Sequence, residues 1–189
     1  MSNPNNELYV ITGGPGVGKT TLIERLKQAG YSTVEEQARK IIKHQMNIGG
    51  NGLPWSDKAL YAQLMFQASV RTYHQVTFAN HATPIFFDRG ILDTVCYMTM
   101  EKIPLSSEQL MALEQVNYNK NVFILPPWRE IYRTDKQRKQ SWAEAVLTFH
   151  QMKNTYLQYG CNVIEVPKVS ALERAHFILE HMKDLHNLK

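Results

Sequence analysis

Nine consecutive residues, Gly13-Gly14-Pro15-Gly16-Val17-Gly18-Lys19-Thr20-Thr21, carry chemistry that their types and spacing specify closely. They satisfy the pattern G-x-x-x-x-G-K-[ST] at every required position, and the pattern belongs to loops that cradle phosphates. A triphosphate tail needs several backbone N–H groups pointing inward from neighbouring residues. Glycines at 13, 14, 16 and 18 allow the backbone angles that fold such a nest and keep Cβ atoms out of the way. A helix opening at Gly18 adds the positive end of its dipole. Lys19 can reach the β- and γ-phosphates, and the Thr20 hydroxyl can hold Mg²⁺.

Further groups with the right chemistry lie at comparable positions. Asp88 closes the apolar run Ile85-Phe86-Phe87, a place from which a carboxylate can hold Mg²⁺ directly or through water. An Asp just before a helix can also serve as its N-cap. Arg89 follows, where it can face transferring phosphates or form an ordinary ion pair. Glu35 and Glu36 follow Thr33-Val34. Glu36, with Arg39 nearby, can orient or deprotonate an acceptor hydroxyl, or the two acids can simply complement a helix dipole. From Trp128 to Gln140 there are five bases and two acids, which supply +3 of the chain's net +4. Arg129, Arg133 and Lys136 share one helical face. Arg133 and Arg138 are the guanidinium forks best suited to phosphate oxygens, and together they suggest a lid over 127–140. A solvated basic helix is the plainer alternative.

These groups need a scaffold, and the hydrophobic pattern specifies one. Short apolar segments at 8–11, 31–34, 84–88, 121–125 and 162–166 alternate with helical patterns, which predicts an α/β fold with five parallel strands. Helices are expected from the loop to about Ala29, from Glu35 to about Met46, and from a Ser56 cap to about Ala79. Three more open on the capping boxes Ser106/Gln109, Ser141/Glu144 and Ser170/Glu173. Ala62, Phe66, Val70 and Tyr73 should form the buried stripe of the long helix. Leu172, Leu179, Met182 and Leu185 should form that of the last. Residues 47–54, with three glycines, read as a flexible loop that covers an acceptor, with Trp55 stacking on a ring or packing inside. In an open parallel sheet, ligands bind beyond the carboxyl ends of the strands, where the loop, Glu36, Asp88-Arg89 and the basic segment all fall.

Composition narrows the classes. At 189 residues, 43% hydrophobic and 20% charged, the chain reads as one domain (1–189) with a frayed polar start at 1–6. Cys96 and Cys161 have no metal or redox spacing, so a reducing compartment, the cytoplasm, is expected. No apolar run approaches membrane-spanning length. Outside the basic segment the charge is nearly balanced, which argues against a general nucleic-acid-binding face. The scattered histidines suggest no metal site. Asn119-Lys120 lacks the Asp that would read guanine, which favours ATP over GTP. A homodimer is an open arrangement.

The loop, Phe86-Phe87-Asp88-Arg89-Gly90 and the arginine-bearing segment together resemble the P-loop nucleoside and nucleotide kinases. Leu53-Pro54-Trp55, the stretch from Pro126 to Tyr132, and Ile164-Glu165-Val166-Pro167-Lys168 look most like the small single-domain ATP-binding proteins labelled AAA-type ATPases. Those proteins are related to nicotinamide riboside kinase domains. The resemblance implies a three-layer fold of strand order 2-3-1-4-5, ATP with Mg²⁺, a mobile arginine lid, and adenine packed near Pro167-Lys168-Val169. It also implies transfer of a phosphoryl group to a small nucleoside-like acceptor. The alternative is an ATP-hydrolysing switch that acts on a protein partner.

Overall fold

Strand β1 (Leu8–Thr12) is buried at every position, as a strand covered on both faces must be. A computed structural model places it at the centre of a parallel sheet and describes residues 7–78, 83–132 and 141–187. In chain order the elements after β1 are α1 (Lys19–Gln28), β2 (Ser32–Val34), α2 (Gln37–Ile48), α3 (Lys58–Phe78) and β3 (Ile85–Asp88). They continue with α4 (Ile91–Met100), α5 (Ser107–Gln115), β4 (Asn121–Ile124), α6 (Trp142–Gln158), β5 (Asn162–Glu165) and α7 (Ala171–Asn187). The strand order is β2-β3-β1-β4-β5, with every pairing parallel. The five-stranded α/β fold and its order thus agree with expectation.

The period-2 alternation of strand side chains divides the core. Val10, Ile85, Phe87 and Val122 face one way, onto Ala62, Phe66 and Tyr73 of α3, Val95 of α4 and Tyr156 of α6. Tyr9, Ile11, Phe86 and Phe123 face the other way, onto Leu22 and Leu26 of α1 and Ile178 and Met182 of α7. Both layers are needed because no strand of a parallel sheet's interior can leave an apolar face in water.

Register decides which side chains meet. Ile11 lies beside Asp88, Thr12 beside Ile124, and Val34 beside Phe87. The carboxyl ends are therefore level. Residues just beyond them, Gly13, Glu36, Arg89 and Leu125, emerge on one rim of the sheet.

Local signals for helix starts hold where they are self-contained. Ser106 accepts from the Gln109 N–H at 3.2 Å, Ser141 from Glu144 at 3.3 Å and Ser170 from Glu173 at 3.3 Å. Other expectations need correction. Asp57, not Ser56, caps α3, accepting the Leu60 N–H at 2.9 Å, because a carboxylate one residue later reaches the open turn. Helix α2 begins at Gln37 rather than Glu35, so Glu35 and Glu36 precede it. Leu172 is 53% exposed, while Leu179 and Met182 pack inward. The Leu185 side chain lies outside the described residues.

The segment expected to be a flexible loop is tied down. Gln45, buried at the end of α2, accepts the Gly52 N–H at 3.0 Å. A Cβ on Gly50 would lie 2.2 Å from the Gln45 amide oxygen, so any larger residue there must displace the side chain that holds the loop. Trp55 is 65% exposed and neither packs in the core nor faces the interior.

Gly13 tests how far the central turn depends on glycine. Its φ is +139°, and a Cβ there would meet the Leu125 carbonyl oxygen at 2.8 Å. Gly13→Ala is expected to lower the unfolding free energy by about 2–3 kcal/mol in urea titration, through backbone strain plus a backbone clash.

Candidate functional site

The turn after β1 is built by three glycines rather than four. Gly13, Gly16 and Gly18 have φ of +139°, +80° and +85°, a region that side chains rarely enter. Gly14 is not among them, contrary to expectation, and a Cβ on it would meet nothing within 4 Å. Gly14 instead borders the neighbouring cavity with Pro15. Gly18 is the N-cap of α1, and no side chain caps that helix. Its leading N–H groups and its dipole therefore face the turn, a geometry suited to an anion.

Lys19 opens α1 and is buried beside this turn, its Nζ 3.9 Å from Asp88 Oδ1. Burial, then the nearby Arg89 charge, pushes its ammonium down to about 8. Burial dominates at Asp88 as well and raises its carboxyl above the usual range, despite Lys19. Asp88 Oδ1 is buried and has no hydrogen-bond partner. Asp88 is not a helix cap, since Gly90 takes that position in α4. An orphaned carboxylate oxygen together with the exposed Thr20 hydroxyl fits a Mg²⁺ held partly by ligand oxygens and water. Among the described residues no cluster of three or more His, Cys, Asp or Glu could cage a metal without such help.

Arg89 follows β3 in a left-handed turn. Its φ is +74° and its N–H donates to the Ile11 carbonyl at 3.0 Å. The side chain is turned into a ladder of carboxylates. Nε donates to Glu36 Oε1 at 2.7 Å, and Nη1 to Asp93 Oδ1 at 3.1 Å. Arg89 is thus a partly buried organiser, paired more closely than the surface ion pair weighed from the sequence. Its guanidinium is committed because two buried acids sit within reach, and they hold its pKa above the usual arginine value against the opposing effect of burial.

Asp93 was not anticipated. It accepts from Thr12 Oγ1, from the Gly90 N–H at 2.9 Å and from Tyr156 Oη at 2.6 Å, besides Arg89. Burial, then the Asp93 charge, raises the Tyr156 hydroxyl well above its ordinary value, so it stays a donor. The local signal was Gly90 followed three residues later by Asp93, a helix-start box that also sets Arg89 and Asp93 four apart. Gly90 is closely packed, since a Cβ would lie 3.0 Å from a Val10 methyl.

Glu36 lies between Arg89 and Arg39, whose Nε is 3.1 Å from Oε2. Burial alone would raise its carboxyl. The charges of Arg89, Lys19 and Arg39, with the Arg89 hydrogen bond, outweigh that and hold it below the usual carboxylate range.

Glu36, Asp88 and Arg89 form one wall of a cavity of about 370 Å³ that begins at Gly14 and Pro15. Met65, Cys96, Met100 and Met152 supply apolar lining. Tyr61 and Tyr97 meet edge to face at 5.6 Å on the same lining. Pro54 is the single contribution of the 49–55 loop, and Trp55 takes no part. The charged lining residues are Glu36, Asp88, Asp93 and Glu101 against Arg89 alone.

Lys168 is exposed, on a turn in which Val169 N–H donates to Pro167 O at 3.1 Å, and it does not join the cavity. Arg133 and Arg138 lie outside the described residues. Arg129, at the root of that segment, stacks over Trp142 at 5.1 Å. Asn119 binds Asn121 before β4, at the amino ends of the strands, the opposite rim from the glycine turn. Among the described residues no helix is long and apolar enough to cross a membrane.

A family model described as an AAA domain matches residues 8–174. No curated protein sequence matches the chain. Among solved structures, a NadR protein in complex with NR superposes with a TM-score of 0.63 at 18% identity, covering 93% of this chain and 50% of that one. The chain thus spans about half the length of that NadR chain. Deoxyadenosine kinase from M. mycoides with bound dATP gives 0.59 at 15% identity, covering 94% and 99%. Thymidylate kinase from Candida albicans gives 0.61 at 15% identity, covering 98% and 94%. These likenesses establish the fold.

Two outcomes follow from the geometry. Removing Asp93 takes one of two carboxylates from a partly buried guanidinium and leaves three further donors unpaired, so Asp93→Ala should cost about 2–4 kcal/mol of stability in chemical denaturation. The second concerns Lys19. Its folded-state pKa of about 8 lies below the ordinary 10.5, so above pH 8 the unfolded chain binds a proton that the folded chain has released. Stability relative to Lys19→Met should therefore rise as pH is raised from about 8 toward about 9.5, read by urea unfolding in parallel buffers. A flat difference would contradict the buried, depressed ammonium.

Proposed function

The chain belongs to the AAA domain family, and we propose that it is a kinase that transfers the γ-phosphoryl group of ATP to a hydroxyl of a small, uncharged, nucleoside-like acceptor. The observation that carries this reading is the Glu36 carboxylate. It is held ionised by Arg89 on the wall shared by the glycine turn and the 370 Å³ cavity. A cavity of that size falls in the range of small-ligand sites, about 300–1,000 Å³. Apolar and aromatic lining suits a flat ring. Four lining carboxylates against one committed guanidinium disfavour an acceptor that already carries phosphate.

In this reading the backbone N–H groups of 13–18 and the Lys19 ammonium hold the triphosphate. Thr20 and Asp88 would hold Mg²⁺, which supplies positive charge to the phosphate oxygens. Glu36 accepts a hydrogen bond from the acceptor hydroxyl and orients it. The acceptor oxygen forms the new P–O bond as the bond from the γ-phosphorus to the bridging oxygen breaks. ADP leaves with that electron pair, and the hydroxyl proton passes to Glu36. Arg89 and Asp93 act by fixing Glu36 rather than by touching phosphate. Arg133, Arg138 and Lys168 are assigned to the nucleotide side, as lid and base contacts. With the Asn119 side chain turned to the far rim, adenine is favoured over guanine.

The test is γ-labelled ATP with a panel of nucleosides. Wild-type protein should label at least one of them, and Lys19→Met should label none. Glu36→Gln should lower kcat about a hundredfold or more while the Kd for an ATP analogue changes little. ATP hydrolysis with no transfer to any nucleoside would sink the kinase reading and favour a switch that acts on a protein partner.

A further inference from the structure

Arg174 sits in the first turn of α7 and is only 4% exposed. A buried guanidinium is costly unless its donors and charge are met. Among the described residues no carboxylate pairs with it, and its Nε has no hydrogen-bond partner. What it does contact is specific. Nη1 donates to the Val17 carbonyl at 2.8 Å, and the guanidinium lies 4.7 Å from the centre of the Trp128 ring. A Cβ on Gly18 would lie 3.0 Å from Nη1 and 3.4 Å from Ile131 Cδ1. The last residue of the glycine pattern before Lys19 therefore rests against both Arg174 and the turn at 128–132. That turn is closed by N–H groups of Ile131 and Tyr132 donating to the Trp128 carbonyl at 3.3 and 3.0 Å.

We propose that Arg174 is a positioning residue for the phosphate site, and that it couples the shape of the glycine turn to Trp128 at the root of the basic segment. The proposal rests on the reading that the turn holds a triphosphate. In a trans peptide the C=O and the following N–H point in opposite directions. Fixing the Val17 carbonyl toward α7 therefore turns the Gly18 N–H to the other side, where a seated phosphate needs a donor. The left-handed Gly18 (φ +85°) leaves this peptide free to rotate unless something holds it. The guanidinium does so without touching the ligand, and its charge adds to the positive potential of the α1 N-terminus. Phosphate binding that reorders the Val17-Gly18 peptide shifts Arg174, and with it the indole on which Arg174 stacks. The plainer alternative, an arginine that merely packs, leaves the donated Val17 bond and the Gly18 approach without consequence for ligands.

The experiment uses full-length protein and inorganic tripolyphosphate, which reports the phosphate site without a base. Calorimetry should give an affinity for Arg174→Met about tenfold or more below wild type, as expected for losing a hydrogen bond from a charged donor. Arg174→Lys, which keeps the charge and a donor but not the stacked plane, should lose less. In a Trp55→Phe/Trp142→Phe background, Trp128 is the remaining tryptophan. Tripolyphosphate should change its emission, and Arg174→Met should abolish that change. If wild type binds no tripolyphosphate, the phosphate-site reading itself falls. If wild type binds but Arg174→Met binds equally with only a lowered Tm, Arg174 is a packing residue and the proposal fails. Should Arg174→Met not fold, Arg174→Lys decides alone. Wild-type affinity together with an unchanged Trp128 response would overturn it.

Discussion

The rim of the sheet depends on a ladder of partly buried charge that runs Glu36, Arg89, Asp93. Each rung comes from a different part of the chain: the end of β2, the end of β3 and the first turn of α4. Buried ions are tolerated only when every neighbour is in place, because removing one leaves its partner desolvated and unpaired. That makes the ladder a geometric constraint as much as a source of stability. Asp93 also gathers Thr12 from β1 and Tyr156 from α6. Five elements are thereby held in one relation at the end of the sheet where the glycine turn emerges.

The ladder also sets the electrostatics on either side of it. Toward the turn, the Arg89 charge adds to burial in depressing Lys19, while Asp88, Glu36 and Asp93 pull the other way. Toward the cavity, Arg89 keeps Glu36 ionised against the pull of burial. One arginine thus lowers a lysine and a glutamate together. The result is a base and a cation on opposite sides of one wall.

How much of this was legible depended on the range of the interaction. The serine capping boxes at 106, 141 and 170 were readable because donor and acceptor lie three residues apart and need no other element. The alternation of strands and helices was readable because each apolar segment must be covered on both faces. Failures came where a distant neighbour intervened. Leu172 fits the helical stripe of α7, yet it lies on the turn that α7 leaves outside α1. Residues 49–54 have a mobile composition, yet Gln45 from α2 holds them. The carboxylate partners of Arg89 were not legible, because Glu36 and Asp93 are 53 and 4 residues away and their convergence is a matter of register.

The sequence alone determined the glycine turn, its lysine and threonine, the strand-terminal aspartate and the parallel α/β class, since all of these rest on contiguous residues and local periodicity. Tertiary structure decided which way each charged group points. It committed Arg89 to carboxylates, raised Asp93 to the centre of the rim, put Arg174 of α7 behind the Val17 carbonyl and left Trp55 outside. Those outcomes come from strand register and helix packing, which bring together groups separated by up to 157 positions in the chain.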